Sequence, residues 1–459
     1  MAMTAFILFL LASSVFAFPT PQQTGLPTWI LSRIGLILGP QLSSSSSIFG
    51  PSDPRWEDTT GRYDAHTVPH IRLVVRSGTE EDVPIIVRYA NKYRIPFYAV
   101  NTGHGSTTSQ TAFDGIQIDL SILTSVRISP GGETAWIQGG STVEVTLDEL
   151  CGQGYVTTTG GAGCPGILGV GLGGGHGLLQ GFHGLVSDNF VTLNMVLANG
   201  RAITISESSY PDLFWAMRGA GHNFGIVTSA EMRVYPRPER DWSFKLYIWA
   251  QDKIEPVFDE LVRMREDGEP SDLAFNFGSE PIFLWSFVWA GPLSEAQPYL
   301  APFDAIPVLI TQNGSAPYNL IPRVTGTGVD STHYLQQWNN ITTNPTAFER
   351  AAVLMGDYKH DAVAQVDAAS SAFPWRDRHL LNNVAIKYTL DPSLDDFALT
   401  WARRTKELWD EGQPGVPGAN YSVYGYEPWR MQRLKALKLK HDPLGRFSYY
   451  NPIPIRRGI

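Results

Sequence analysis

Residues 160–177, GGAGCPGILGVGLGGGHG, place ten glycines in eighteen positions, and no other stretch limits the fold as much. A segment with so few Cβ atoms adds little to a core and loses much backbone entropy on ordering, so something is expected to lie against its backbone. A large, flat, phosphate-bearing ligand approached by main-chain amides suits it. Gly169, Gly171 and Gly174 satisfy the spacing GxGxxG. A dinucleotide turn, however, follows a strand, opens a helix and meets an acidic residue about 20 positions on. Asp188 comes early and the glycines continue past the motif, so the stretch reads as a ligand cradle and not as a Rossmann turn.

The other 441 positions supply ordinary globular material, with 43% hydrophobic and 17% charged residues overall in a chain of 459. That length accommodates two or three domains. A net charge of −9 excludes a nucleic-acid partner, which demands a basic footprint. Residues 5–17, AFILFLLASSVFA, are too short to span a bilayer and end with Val15 and Ala17 in signal-peptidase spacing. Cleavage after Ala17, a secretory route and no stable membrane association are the expectation, and amino-terminal sequencing of secreted protein would then read Phe18. Sequons at Asn313, Asn340 and Asn420 agree with that route, the first two in loop-like sequence. Two cysteines, Cys151 and Cys164, give no disulfide framework.

The apolar run 29–39 is likewise too short for a span, and the five serines at 43–47 read as a flexible connector. From His70 the order sharpens. IRLVV predicts a strand, a helix starts near Asp82 ahead of Pro84, and IPFYAV delivers the chain to NTGHGS at 101–106. A loop at that end of a strand is where open α/β sheets hold ligands. Short strands follow at IQIDL, VRIS and TAWIQ. Ser141 and Glu144 then form a capping box for a helix that buries Cys151. VTLNMVLA and RAITIS form a hairpin around a type I′ turn at Asn199 and Gly200. PDLFWAMR is a short helix that stops at Gly219, and GAGHNFGIVTSAEMRVYP ends the first region near residue 238. Alternating strands WSFKLYIWA, LAFNFG and IFLWSFVWAG, separated by helices, predict an antiparallel sheet covered on one face. A helix over 393–412 ends this region. PWRMQRLKALKLK is a last helix whose basic residues are expected on its solvated face.

TGHGS around His104, LGGGHG followed by SDN at 187–189, the run DLFWAMRGAGHNFGIVTS, and the tail YGYEPWRMQRL then HDPLGRFSYYNPI together resemble the FAD-linked oxidases of the vanillyl-alcohol-oxidase type. The likeness is to the berberine-bridge-enzyme-like branch, most of all its secreted fungal members, over about 55–240 and 420–454. It implies an α+β fold: a two-subdomain, PCMH-type FAD-binding domain at 67–238 and an α+β substrate domain at 239–418 with a helix-covered antiparallel sheet. Residues 1–17 form the leader, 18–66 an amino-terminal segment and linker, and 419–459 a tail packing back on the FAD domain. By the same resemblance His104 bonds the flavin 8α-methyl, and Asn101, Thr102, Gly103, Gly105 and Ser106 form the pyrophosphate loop. Cys164 lies near the cysteine that bonds flavin C6, although the spacing to the triple glycine is two residues shorter than in plant relatives. Gly161, Gly169, Val170, Gly174, Gly175, His176, Ile226, Val227, Tyr450 and Asn451 fall on the remaining cofactor path, with His183 and His222 beside it.

The chemistry then belongs to FAD, with hydride transfer to flavin N5 and reoxidation by O₂ to H₂O₂. The substrate is a small organic molecule. The resemblance makes Tyr421 the expected proton acceptor, on a link, NYSVYG, that is shorter than in relatives with this tail, and Glu427 and Tyr424 are the alternates. A phenol pKa near 10 would have to be lowered for that task. No HExxH or GxSxG occurs, so neither a metal site nor a serine hydrolase is expected. A monomer is expected. A redox-neutral isomerase or cyclase, and a flavin carrier without turnover, stay open as other classes.

Overall fold

The computed structural model describes residues 28–267, 273–279, 282–322, 348–376, 380–388, 391–400, 403–404 and 425–455. The leader at 1–17, the sequons Asn340 and Asn420, half of the expected helix 393–412 (residues 401–402 and 405–412), and Tyr421 and Tyr424 lie outside these residues.

The fold is α+β and is built on three main sheets. In the first, strands His70–Arg76, Asp114–Asp119 and Phe97–Val100 lie parallel in that spatial order, and Ser47–Phe49 joins antiparallel at the outer edge. Helix Asp82–Lys92 covers them because Val83, Ile86, Val87 and Ala90 recur on one face and are wholly buried with Val75, Ile116 and Ile118. This unit fixes the carboxyl end of Phe97–Val100, and with it the start of the 101–106 loop.

The serine run does not behave as a connector. The Ser43 N–H and hydroxyl and the Ser46 hydroxyl each donate to the buried Asp82 carboxylate at 2.7 Å. The N–H groups of Gly78 and Thr79 complete the shell at 3.0 and 2.8 Å. A buried carboxylate needs several donors, and short hydroxyl side chains supply them without filling the space.

The second sheet is antiparallel in the order Val126–Ile128, Thr134–Gln138, Ile226–Arg233, Phe190–Val196, Ala202–Ser206. Two local expectations change here. Thr142, not the Ser141 and Glu144 pair, caps helix Val143–Gly152 by accepting from the Val145 N–H at 3.1 Å. The hairpin turn is not type I′, which requires positive φ at both central residues. Gly200 has φ +80° while Asn199 is not among the non-glycines with positive φ, and Gly200 N–H donates to Leu197 O at 2.8 Å. The extra residue makes a three-residue connection with the glycine as its bulge.

The third sheet, also antiparallel, runs Ile310–Ala316, Trp242–Ala250, Ile282–Trp289, Leu273–Ser279, Phe348–Tyr358, Leu380–Tyr388. Helices Ile254–Glu266 and Leu293–Asp304 cover one face and bury Val257, Leu261, Leu300 and Phe303 against Tyr247, Trp249, Trp285 and Phe287. Asn313 sits on its edge strand and not in a loop, with the side chain exposed. Helix Pro428–His441 returns to the first region, where Met431, Leu434 and Leu437 share a core with Phe214, Trp215 and Ile167. Its basic residues are not all solvated: Arg430 is 1% exposed and Lys438 is fully buried.

Candidate cofactor site

The glycine run is packed mostly by protein, which corrects the reading of a bare cradle. A Cβ on Gly161 would stand 2.5 Å from the Tyr358 hydroxyl, and on Gly174 it would enter the Phe373 ring. Gly166 is closed by the Asn101 side-chain amide, Gly175 by Val186 and Gly177 by the Thr159 carbonyl. Gly169 differs, because nothing lies within 4 Å of the position of its Cβ.

That open side faces a cavity of about 140 Å³ between the two subdomains. Asn101, Gly169, Ile226, Val227 and Tyr450, all expected on the cofactor path, line it together with the rings of Phe97, Tyr98, Phe447 and Tyr449. Asn101 donates through Nδ2 to Ser141 O at 3.2 Å, while its Oδ1 is buried with no partner. A long aromatic slot, an unsatisfied acceptor and a glycine where a side chain would obstruct fit a nucleotide-bearing flavin. FAD is the group these residues suit.

The tail closes this slot. Asn451, at φ +41°, donates its N–H to Ser109 Oγ at 3.0 Å and accepts from Thr107 Oγ1 at 2.8 Å. Asn223 donates to Asn451 O at 3.1 Å and accepts from the Ile453 N–H at 2.8 Å. Tyr450 lies against Gly105 and 4.4 Å from the His222 ring, centroid to centroid. Asn223 and Arg446 were missed in the sequence. Asn223 lies inside the GHNFG run, and only its contact with a tail 228 residues away reveals its task.

Gly103 takes φ +72° and receives the Tyr63 N–H at 3.2 Å, which brings Tyr63 over His104 with ring centroids 5.1 Å apart. His104 is half-buried, and burial lowers its pKa. Both cysteines are free: Cys164 is exposed, and Cys151 is a core thiol that burial pushes up to about 11. The Cys164 loop is fixed to the first turn of helix Val143–Gly152, where Val143 and Glu144 N–H groups donate to Pro165 O and Gly163 O at 3.0 and 2.9 Å. Asn101 bonds Ser141 and closes over Gly166, so the loops of His104 and Cys164 are in contact.

Other expected residues sit apart from the slot. Thr102 and Ser106 lie on the outer part of the 101–106 loop, and Val170 is in helix Ile167–Leu172 against the core. Gly174 and Gly175, at φ +112° and +86°, turn the chain toward His176 at the seam with the second region. Glu427 precedes the last helix, one oxygen 2.6 Å from Arg430 Nη1 and the other buried without a partner. Asp188 of the SDN motif holds Arg376 of the second region in a buried, two-armed ion pair at 2.6 and 2.9 Å. Among the described residues no group of three or more His, Cys, Asp or Glu is placed to hold a metal ion, and no helix is long and apolar enough to cross a membrane.

This fold and slot define a flavin-binding protein with a second, sheet-based region set over its cofactor domain. A family model described as an FAD binding domain matches residues 71–206. The chain is 43% identical to the FAD-linked oxidoreductase anuG of Penicillium roqueforti over 463 aligned residues, covering 91% of each chain. Among solved structures it is similar to the BBE-like 1 protein of Physcomitrella patens, with TM-score 0.76, 18% identity and coverage of 92% and 100% of the two chains. It is also similar to a glucooligosaccharide oxidase of Acremonium strictum described with a 6-S-cysteinyl, 8α-N1-histidyl FAD, with TM-score 0.74, 18% identity and coverage of 92% and 98%. The chain belongs to the fungal FAD-linked oxidoreductases with a PCMH-type FAD-binding domain.

A pH dependence follows from His222. Part of its ring lines the slot, yet protein surrounds it, and burial drives its pKa down to about 4 from 6.5. Above 6.5 the ring is neutral in both folded and unfolded chains and stability is unaffected. Between 6.5 and 4 the unfolded chain takes up a proton that the folded chain refuses, so stability should fall on acidification, by about 3 kcal/mol at full extent. Urea midpoints measured across this range should decline, and His222→Gln should flatten the decline. An unchanged slope in the variant would assign the acid sensitivity elsewhere.

Proposed function

We propose that the protein is an oxidase of a small organic molecule, acting in fungal secondary metabolism, with its FAD tethered to both His104 and Cys164. The observation that supports this is the contact between their two loops, made by the Asn101 amide over Gly166. The resemblance to an oxidase described with a doubly tethered flavin agrees with it. FAD, when bound, supplies a two-electron acceptor that takes hydride from the substrate and is reoxidised by O₂ to give H₂O₂.

The chain's own groups do the rest. Asn101, Gly169, Ile226, Val227 and Tyr450 bind and orient the cofactor, and the clamp of Asn451 on Ser109 and Thr107 holds the slot shut. In this reading Tyr421 carries the substrate proton, as the resemblance implies, with Glu427 as the alternate. Specificity resides in the second region, whose strand Phe348–Tyr358 reaches Gly161 through the Tyr358 hydroxyl.

Anaerobic screening of the yellow protein against alcohols, oligosaccharides, alkaloids and polyketides should find a compound that bleaches the flavin and yields H₂O₂ when air returns. With that compound, Tyr421→Phe should lower the rate of flavin reduction about 10²-fold with little change in affinity. Turnover without H₂O₂ would point to a redox-neutral isomerase instead.

A further inference from the structure

Strand Ile310–Ala316 ends the six-stranded sheet, and among the described residues no strand pairs with its outer side. Five of its seven residues are exposed, and the other two, Gly314 and Ala316, are half-buried. It carries no charged residue and no proline, and Leu309 and Ile310, 56% and 37% exposed, add apolar surface at its start. A bare edge of this kind is a template for another chain, and folded proteins blunt it with a short strand, a lysine, a proline or a cover.

The remaining edges of the three main sheets are blunted in these ways. Ser47–Phe49, Phe97–Val100, Val126–Ile128 and Ala202–Ser206 are three, four, three and five residues long. Leu380–Tyr388 is nine residues long and carries Lys387. Among the described edges Ile310–Ala316 alone is both longer than five residues and uncharged, and it is the one that holds a sequon, Asn313 with Gly314 and Ser315.

The strand presents that sequon outward. Side chains alternate along a strand, so Asn313 and Ser315 share one face and Gly314 takes the other. Asn313 and Ser315 stand opposite Lys245 and Ser243 of the neighbouring strand, and both are exposed. Gly314 is closed by the Phe244 ring, 2.8 Å from where its Cβ would be. Lys245 is tied back to Asp304 at 2.5 Å and gives the edge no charge. Asn313 is the central residue of the strand, so a large group on its Nδ2 has room and stands at the middle of the edge.

We propose that Asn313 carries an N-linked glycan and that this glycan covers the sheet edge, keeping the chain from pairing with a second copy of itself. The inference rests on the secretory route expected from residues 1–17 and is independent of the oxidase reading. In the modification a bond forms between Asn313 Nδ2 and the first sugar's C1 as the C1–O bond to a diphospholipid carrier breaks. The amide gives up a proton, the carrier leaves as its diphosphate, and nothing is oxidised. With a bulky, hydrated glycan at its centre, the strand offers three residues on either side, fewer than the roughly five of an ordinary strand. Without the glycan, two copies can join their edges antiparallel about a two-fold axis.

The test uses the full chain, secreted with its own leader by a fungal host. Release of glycans by a peptide N-glycosidase in H₂¹⁸O should convert Asn313 to an ¹⁸O-labelled aspartate, read by mass spectrometry. Asn313→Gln and Ser315→Ala each remove the glycan, and their flavin bands and melting temperatures should match the wild type because both side chains are exposed. Their apparent mass in light scattering should rise about twofold with concentration, while that of the wild type stays at one chain. Adding Ile310→Lys to Asn313→Gln should restore the single chain, because a charge on the edge takes over the glycan's task. A bare Asn313 beside glycans at Asn340 or Asn420 would overturn this proposal alone. A chain that keeps residues 1–17 and carries no glycan at any of the three would overturn the secretory reading with it. The guarding role fails if the glycosylated wild type already associates, if both glycan-free variants stay single, or if Ile310→Lys leaves their association unchanged.

Discussion

His104→Ala is expected to leave the flavin held through Cys164 alone, and the His104→Ala, Cys164→Ala double variant to release all of it when the protein is precipitated with acid. The wild type should leave a colourless supernatant and a yellow pellet. In the proposed attachment each bond would form as a ring nitrogen or thiolate takes the place of a C–H hydrogen of the flavin, with the two electrons passed on to O₂. The imidazole must therefore be neutral, and burial of His104 beside Tyr63 keeps it so. Cys164 is exposed and free, as a thiol that reaches the cofactor must be. The two proposed attachments would both depend on the contact between their loops, which makes Gly166→Ala the finer probe. Its methyl would displace the Asn101 amide and part the loops, so attachment at Cys164 should fall while the His104 bond persists. Yellow colour in the wild-type supernatant would end both assignments at once.

Patterns set by neighbouring residues were legible in the sequence, and those set by distant partners were not. Strand and helix positions of the first region follow from local periodicity, so His70–Arg76, Asp82–Lys92 and Phe97–Val100 appear where their apolar residues place them. The two loops at 101–106 and 160–177 stood out in the sequence as candidates for a ligand site through their glycine content, and Asn101 from one and Leu168, Gly169 and Leu172 from the other line the slot. The packing of that run was hidden: Tyr358, Phe373 and Asn101 fill most of the space beside it, and none is near in sequence. The serine run looked flexible because hydroxyl side chains mean little until a carboxylate such as Asp82, 36 to 39 residues on, collects them. Gln180 is the same case at short range. Nothing in LLQG marks the glutamine, but four residues place its amide on His176.

The basic last helix was the largest misreading, and Lys438 shows why its replacement should be costly. Its ammonium group and the Asp442 carboxylate are both fully buried, 2.7 Å apart. The other two ammonium protons go to Asn223 O and Phe447 O, each at 2.7 Å. Asp442 in turn receives the N–H groups of Arg446 and Phe447 at 2.7 and 2.9 Å. Every arm ends on a segment that shapes the slot: Asn223 holds Asn451, while Arg446 and Phe447 line the wall. Asp442→Ala would strand a buried cation with carbonyls only, and a loss of about 3–5 kcal/mol is expected, seen as a fall of melting temperature on the order of 10 °C. Lys438→Met should cost less, because the carboxylate keeps two backbone donors and can also take up a proton. Combining Lys438→Met with Asp442→Asn should recover part of the Asp442→Ala loss, since no charge is then left buried. The tail should loosen before the domain unfolds, so limited trypsin digestion of Asp442→Ala should cut near Arg446 while the flavin stays attached through His104. Melting within a degree of wild type would mean that the helix core of Met431, Leu434 and Leu437 holds the tail unaided.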